Sequence, residues 1–394
     1  MQLPNSIGKS DCCGCKACAE ICPKHCISME ADDDGFFYPQ INQEQCVSCG
    51  LCAKVCPVTF KDFYPNSEVE AYVGAHNNEQ VVYESSSGGA FTAICQAVIR
   101  QGYTVYGARY TDDLQVIHDC ATTEDGCNAF KKSKYILSDT NGCFGKVAQQ
   151  LKKSEPVLFS GTPCQCAALQ KYLEACNVSR DHLITVSILC RGTPSQKVFD
   201  IHRKELEEQH GAALTGFTFR SKASINGKLN ARSATLTFSD GTTQTLDATT
   251  NAFLKAYYSG LFTRSSCGTC RFARMERMTD ITLGDAWGIN KLYPELDPMK
   301  GVSLIFAATP QGKALVKSLE DTMSLTQLDT DYALKSQSIL RGQTRVHYNR
   351  SLFFKLLKKH GRMDLAVKKA SRLTVWQRVK GKIKSYIIPS RITK

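Results

Sequence analysis

No apolar run in this chain is long enough to span a bilayer, and its first residues, MQLPNSIGKSDCC, lack the charged-then-apolar layout of a secretory signal. A cytoplasmic, reducing location is therefore expected. No G-x-G-x-x-G follows a strand and no G-x-x-x-x-G-K-[ST] occurs, so neither a Rossmann dinucleotide fingerprint nor a P-loop is visible. A C-x3-C-x2-C of the radical-SAM kind is absent too. With no motif that reads bases, nucleic acid is not an expected partner. What is present is an ordinary globular balance, 42% apolar and 22% charged over 394 residues, enough for one large core or a few smaller ones. Cysteine is the exception, with 20 residues. In a reducing compartment thiolates more often hold metal or do redox work than build disulfide scaffolds.

Ten of those cysteines fall within residues 1–64, in two similar blocks, CCGCKACAEICP and CVSCGLCAKVCP, 34 residues apart. After FKDFYPNSEVE the texture changes. Strand-like runs (EVEAYVGAH, YTVYGARY, PVLFSG, LITVSILC, GVSLIFAAT) alternate with helix-like ones such as GGAFTAICQAVIRQG and PSQKVFDIHRKELEEQH, which argues for an α/β body. Within it ARSATLTFSDGTTQTLDA, residues 231–248, reads as a β-hairpin around Asp-Gly and suggests an α+β insertion into a mixed sheet.

Charge is uneven. Residues 355–394 hold thirteen Lys or Arg against one Asp, an excess equal to the whole chain's formal +12, so the rest is neutral. A basic tail containing LTVWQRVKGKIKSYII suits an anionic membrane surface or an acidic partner; a solvated terminal helix or a disordered tail is the competing account.

The strongest chemical signal is C-x2-C-x2-C-x3-C-P, present at Cys12, Cys15, Cys18, Cys22 and Pro23 and again at Cys46, Cys49, Cys52, Cys56 and Pro57. In this pattern three close thiolates wrap one cluster and the fourth, beside Pro, reaches to the other. Cys12, Cys15, Cys18 and Cys56 are thus expected to hold one 4Fe-4S cluster, and Cys46, Cys49, Cys52 and Cys22 a second. A small two-cluster ferredoxin-like domain would precede the α/β body. Zinc usually takes separated Cys pairs or a His. Cys13 and Cys26 fall outside the register.

Two clusters in one small module make a wire, and a wire implies a redox terminus in the body. ESSSGGAFTAI, residues 84–94, runs Ser and Gly straight into a helix, where open backbone N–H groups would make a phosphate cradle. A plain N-cap with a flexible Gly pair explains it equally well.

The ordered series SSSGGAFTAI, KSKYILSDT, VLFSGTPCQCAAL, ILCRGTPS, CGTCRFARMERMTDITLGDAWGI and KGVSLIF resembles the coenzyme F420 hydrogenase/dehydrogenase beta-subunit family over about residues 70 to 345. The resemblance implies FAD beside a 4Fe-4S cluster, linking iron-sulfur centres to an organic two-electron partner. The expected division is 1–64 (ferredoxin-type, from the cysteine blocks), 70–155 and 156–345 (the two parts of the body, from the resemblance) and 346–394 (basic tail, from its charge).

Cys164 of LFSGTPCQC then has companions in Cys190, Cys267 and Cys270, a complete four-thiolate set. Cys164 and Cys190 each end a strand-like run, so both can reach one carboxyl edge of a parallel sheet. Zinc or apolar packing suits the same residues; the resemblance favours a third 4Fe-4S cluster. Cys166, Cys95, Cys120, Cys127, Cys143 and Cys176 read as packing or surface thiols. By the same resemblance FAD would be held by Ser86, Ser87, Gly88, Gly89, Lys134, Tyr135, Ser160, Gly161 and Thr162. Trp287 would cover a ring, and Asp285 would bind a hydroxyl or relay a proton. One departure stands out: the family often has His after the cysteine of its Cys-His-Gly motif, and here Arg191 takes that place. Guanidinium cannot shuttle a proton near neutral pH, so Arg191 is expected to bind an anion on the substrate. The functional expectation is an iron-sulfur flavoprotein oxidoreductase that exchanges electrons with reduced ferredoxin or a partner redox subunit and acts on a small molecule; a non-catalytic electron-transfer subunit is the alternative.

Overall fold

The two cysteine blocks fold alike. Positive φ occurs at Gly14 (71°) and Lys16 (64°) in one and at Ser48 (53°) and Gly50 (75°) in the other, the same places in the repeat. These left-handed residues turn each C-x2-C-x2-C loop into a one-turn helix, Ala17–Glu20 or Leu51–Lys54, that carries the third cysteine. Between the blocks, β1 (Ile27–Ala31) and β2 (Phe37–Ile41) pair antiparallel. The computed structural model describes residues 7–371 apart from 141, 226–227 and 343–345.

The body follows with β3 (Glu70–His76), β4 (Thr104–Tyr110), β5 (Val116–Ala121), β6 (Val157–Gly161) and β7 (Leu183–Ile188). It then leaves the main sheet for β8 (Leu214–Phe219), β9 (Ala223–Ile225), β10 (Lys228–Asn230), β11 (Ala234–Phe238) and β12 (Thr243–Leu246). It returns with β13 (Ile281–Asp285), β14 (Ser303–Ala307) and β15 (Met323–Leu328). The eight-stranded main sheet has the order β15-β3-β14-β13-β7-β6-β4-β5. β4, β6, β7 and β13 are parallel. β14 is antiparallel to both its neighbours, so β3 points the same way as the parallel set. β5 and β15 close the edges antiparallel. The carboxyl ends of five strands therefore open on one edge, where open α/β sheets place their sites.

Period-two alternation sorts the core. Val157 and Phe159 of β6 face one cluster with Phe144, Leu169 and Leu173, while Leu158 faces another with Ile94, Val186 and Ile305. Helices Cys143–Lys152 and Pro163–Ala175 cover the first face, and Ala90–Ile99 and Pro310–Lys317 the second. This is a mixed α/β body behind an N-terminal 4Fe-4S ferredoxin-type domain, as the pattern of runs and cysteines leads one to expect. The expected hairpin is β11 and β12, joined to β8 in a three-stranded sheet, with Gly241 (φ 82°) in its turn.

Residues 350–370, counted with the basic tail on charge alone, form helices Arg350–His360 and Met363–Ala370. Phe353, Phe354, Leu357, Met363 and Val367 enter the core beside Phe199, Phe219 and Phe253. The run LTVWQRVKGKIKSYII lies outside the described residues. Among those described, no helix is long and apolar enough to cross a membrane.

Candidate functional site

Cys12, Cys15, Cys18 and Cys56 share one place. Burial first, then the neighbouring Cys12, Cys56 and Cys52, pushes the Cys18 thiol up to about 12. Burial and then Cys12 and Cys52 push Cys56 up to about 11. Cys56 of the other block thus lies near Cys12 and Cys18, and Cys52 is near as well. Ala17, Val55 and Phe60 wall the site. Cys22, Cys46, Cys49 and Cys52 line one pocket with Ile27, Ile41, Val47 and Leu51, and no carboxylate joins them. Cys26 lines it as well, its Sγ 3.4 Å from that of Cys22. Among the described residues no three His, Cys, Asp or Glu side chains converge tightly enough to grip a single ion. Here the thiols surround a space. All-thiol donors with apolar walls fit iron-sulfur clusters.

The third set gathers at the carboxyl edge of the sheet. Cys164 is the second residue of the helix after β6, and Cys190 follows β7 by two residues. Cys267 lies on the 3-10 turn Ser265–Thr269 and Cys270 follows it. Burial raises the Cys190 thiol well above its ordinary value, and Cys267, Cys164 and Cys270 add to the rise, so all four stand together. Burial, then Cys164 and Cys270, takes Cys267 up to about 12, and burial, then Cys164, takes Cys270 up to about 11. Thr162 caps the helix and sets its hydroxyl 3.2 Å from Cys164 Sγ, while Gly192 N–H donates to Cys190 Sγ at 3.4 Å. Cys166 turns away into the core with its Sγ 3.8 Å from Val186 O.

Cys13, outside the motif register, lies close enough to Cys15 and Cys164 for both to bear on its thiol, so the first and third sets adjoin. The signal for it was the Cys-Cys-Gly order, in which Gly14 takes a left-handed turn just after Cys13. The module is pinned here by Thr140 Oγ1 donating to Cys15 O (2.8 Å) and by Lys16 pairing with Asp139 (2.6 Å).

Ser86, Ser87, Gly88 and Gly89 lie on the same edge, and the Gly88 amide is not open as it would be in a bare cradle. Gly88 N–H donates to Ser303 Oγ (3.0 Å), Ala90 N–H reaches the same oxygen (3.4 Å), and Ser87 Oγ donates to Val302 O (2.9 Å). The antiparallel β14, inserted beside β3, brings Ser303 there.

Beneath the stretch lie two cations that sequence reasoning missed. Arg220 (7% exposed) donates to Ser86 O at 2.7 Å, and Lys222 (1% exposed) to Ser87 O at 2.6 Å. Both have positive φ, 60° and 52°, a costly path for such residues and one found where a site is built. The signal was Phe-Arg-Ser-Lys closing a strand. Burial, then Arg220, lowers the Lys222 ammonium to about 8. Asp285, at the end of β13, accepts two bonds from Arg220, and Trp287 lies under the Arg220 and Arg232 guanidiniums at 5.3 and 5.2 Å.

Tyr135 stacks on Tyr257 with centroids 4.1 Å apart, and Tyr257 faces Cys190 and the exposed Arg191. The Lys134 ammonium donates to Lys131 O (2.8 Å), and burial, then Lys132, brings it down to about 7. Beside it the buried Tyr110 hydroxyl has no partner. Ser160 and Gly161 end β6, with Ser160 O accepting from His118 Nε2 at 2.9 Å. Aromatic walls, buried cations and a Tyr110 hydroxyl without a partner among the described residues fit an anionic, planar cofactor.

Residues 154–331 match the family described as the C terminus of the coenzyme F420 hydrogenase/dehydrogenase beta subunit, and residues 11–60 match the 4Fe-4S dicluster domain. No curated protein matches the chain. Among solved structures it is similar to one from Methanosarcina barkeri, described as a xenon derivatization of the F420-reducing [NiFe] hydrogenase complex. The identity is 16% and the TM-score 0.45, with 82% of this chain and 94% of that chain covered.

Proposed function

From a chain in which a 4Fe-4S dicluster domain precedes the C-terminal region of a coenzyme F420 hydrogenase/dehydrogenase beta subunit, we propose a cytoplasmic iron-sulfur flavoprotein oxidoreductase. Bound clusters supply one-electron steps, and bound FAD joins them to two-electron chemistry on an organic partner.

The chain's own residues hold and order these groups. Cys46, Cys49, Cys52 and Cys22 hold the outermost cluster. Cys49 is exposed and Val47 is 57% exposed, which suits docking of reduced ferredoxin or a partner redox subunit. Cys12, Cys15, Cys18 and Cys56 hold the next, and Cys164, Cys190, Cys267 and Cys270 the third. Cys13 keeps the last two side by side. Arg220, Lys222 and Lys134 supply positive charge to a pyrophosphate, while Trp287 and the Tyr135–Tyr257 stack bound a flat ring. Asp285 acts through Arg220 as a positioning residue. Arg191 receives a carboxylate or phosphate of the substrate. Residues 70–155 and 156–345 contribute strands to one sheet, so we assign them to a single redox body behind residues 1–64, with the basic segment as an attachment to an acidic partner or anionic surface.

The observation that carries this reading is the convergence of Cys164, Cys190, Cys267 and Cys270 from separate segments on one sheet edge. Iron and flavin analysis of anoxically prepared protein tests it: about twelve irons and one releasable FAD per chain are expected. About eight irons and no flavin would instead make the chain an electron carrier that docks to a separate oxidoreductase.

A further inference from the structure

Arg264 is among the largest fully buried side chains, at 1% exposure. It lies three residues before Cys267, and its backbone N–H donates to Thr193 O at 3.0 Å, just past Cys190. Its guanidinium reaches the other way, into the ferredoxin-type module. Nε donates to Cys12 O at 2.7 Å, Nη2 to Phe37 O at 2.8 Å, and Nη2 stands 3.7 Å from Cys12 Sγ. The Tyr38 ring lies 4.3 Å from the guanidinium carbon and Phe36 5.5 Å, while a Cβ on Gly14 would stand 2.9 Å from Nη1. The same charge acts on Cys164 and Cys267.

Among the described residues no carboxylate pairs with it, unlike its neighbour Arg350, which pairs with Asp34 at 3.2 Å. Neutral carbonyls and ring faces repay only part of what burying a guanidinium costs. A cluster bound by four thiolates is anionic and gains one further negative charge on reduction, and its potential follows its net charge and surroundings. Its guanidinium stands at Cys12 of the first set, and its backbone lies between Cys190 and Cys267 of the third, whose Cys164 and Cys267 thiols its charge favours in the thiolate form.

Resting on the cluster assignment above, we propose that Arg264 is the shared counter-charge of the first and third clusters, a positioning residue that raises both reduction potentials and so keeps the step between them close to level. When one electron passes from one cluster to the other, the cation neighbours the added charge before and after. The second cluster, whose cavity Arg264 does not line, is outside its reach.

The test is a redox titration followed by electron paramagnetic resonance on full-length, anoxically prepared wild type, Arg264→Gln and Arg264→Lys, with iron counted first. In Arg264→Gln, two of the three midpoint potentials are expected to move negative, each reduction constant falling about tenfold, about 59 mV for one electron, while the third stays. Arg264→Lys, which keeps the charge, is expected to stay near wild type. Unchanged potentials in Arg264→Gln overturn the proposal, as do equal shifts in both variants, which would mark lost packing rather than lost charge. If Arg264→Gln loses iron, Arg264→Lys decides: full iron with wild-type potentials supports the proposal, and loss of iron in both, or a shift in the lysine variant, overturns it. Wild type with only about eight irons would fail the cluster assignment itself, a result distinct from any of these.

Discussion

Arg220 and Asp285 meet in a two-pronged ion pair, Nη1 to Oδ2 at 2.7 Å and Nη2 to Oδ1 at 3.0 Å, and the same guanidinium donates to Ser86 O. Three stretches far apart in the chain, Phe-Arg-Ser-Lys, Gly-Asp-Ala-Trp and Ser-Ser-Ser-Gly-Gly, are thereby tied at one point on the sheet edge. Under the proposed function Asp285, engaged by this pair, aims Arg220.

Asp285→Ala should strand a buried guanidinium. Removing one partner of such a pair costs about 3 to 5 kcal/mol, mostly because the other charge stays buried. The urea midpoint should fall and bound flavin should be lost together. A variant with a wild-type midpoint and full flavin would show that the pair does not organise the site.

Gly88→Ala tests how the Ser-Gly stretch seats on the sheet. An added Cβ would stand 2.5 Å from Gly74 O and 2.6 Å from Ser303 N, both backbone atoms that cannot swing aside. Overpacking of this kind costs about 1 to 3 kcal/mol. The loss should appear equally in protein stripped of cofactor. A loss seen only in the loaded protein would return Gly88 to direct ligand contact.

His118 gives the fold a pH dependence. Nε2–H donates to Ser160 O, Ser138 Oγ–H donates to Nδ1 at 2.8 Å, and burial holds the ring's pKa down at about 4. In the unfolded chain the group titrates near about 6.5. Between those values the unfolded state binds more protons, so stability is highest above about pH 6.5 and falls as pH drops toward 4, by about 3 kcal/mol in full. Urea unfolding of stripped protein at about pH 7.5 and about pH 5 should show a smaller loss in His118→Gln than in wild type. Equal losses would remove His118 as the cause.

Cys13→Ala should keep the wild-type iron content, because each cluster already has four other thiols within reach. Loss of about four irons would instead make Cys13 a ligand and displace Cys12 or Cys164 from its set.

The ferredoxin-type repeat could be read directly because its chemistry is local: ligand spacing, Gly14 and Gly50 are all within a few residues of one another. Strands such as LITVSILC and GVSLIFAAT announce themselves by composition, and so does the Asp-Gly hairpin. The cations could not be found this way. Arg220, Lys222 and Arg264 look like ordinary surface residues in a chain rich in them, and each acquires its role from a partner far along the chain: Asp285, Ser87 and Cys12. The direction of β14 was equally hidden, and it is what brings Ser303 to the Gly88 amide within the Ser-Gly run. Charge alone also misplaced residues 350–370, whose apolar face is spaced for a helix packed on Phe199 and Phe253.

The third thiol set is the joint between the two halves of this account, and counting iron in anoxically prepared Cys164→Ala beside wild type tests it most directly. The variant should carry about four irons fewer, with the ferredoxin-type clusters intact. Full wild-type iron in the variant would contradict it.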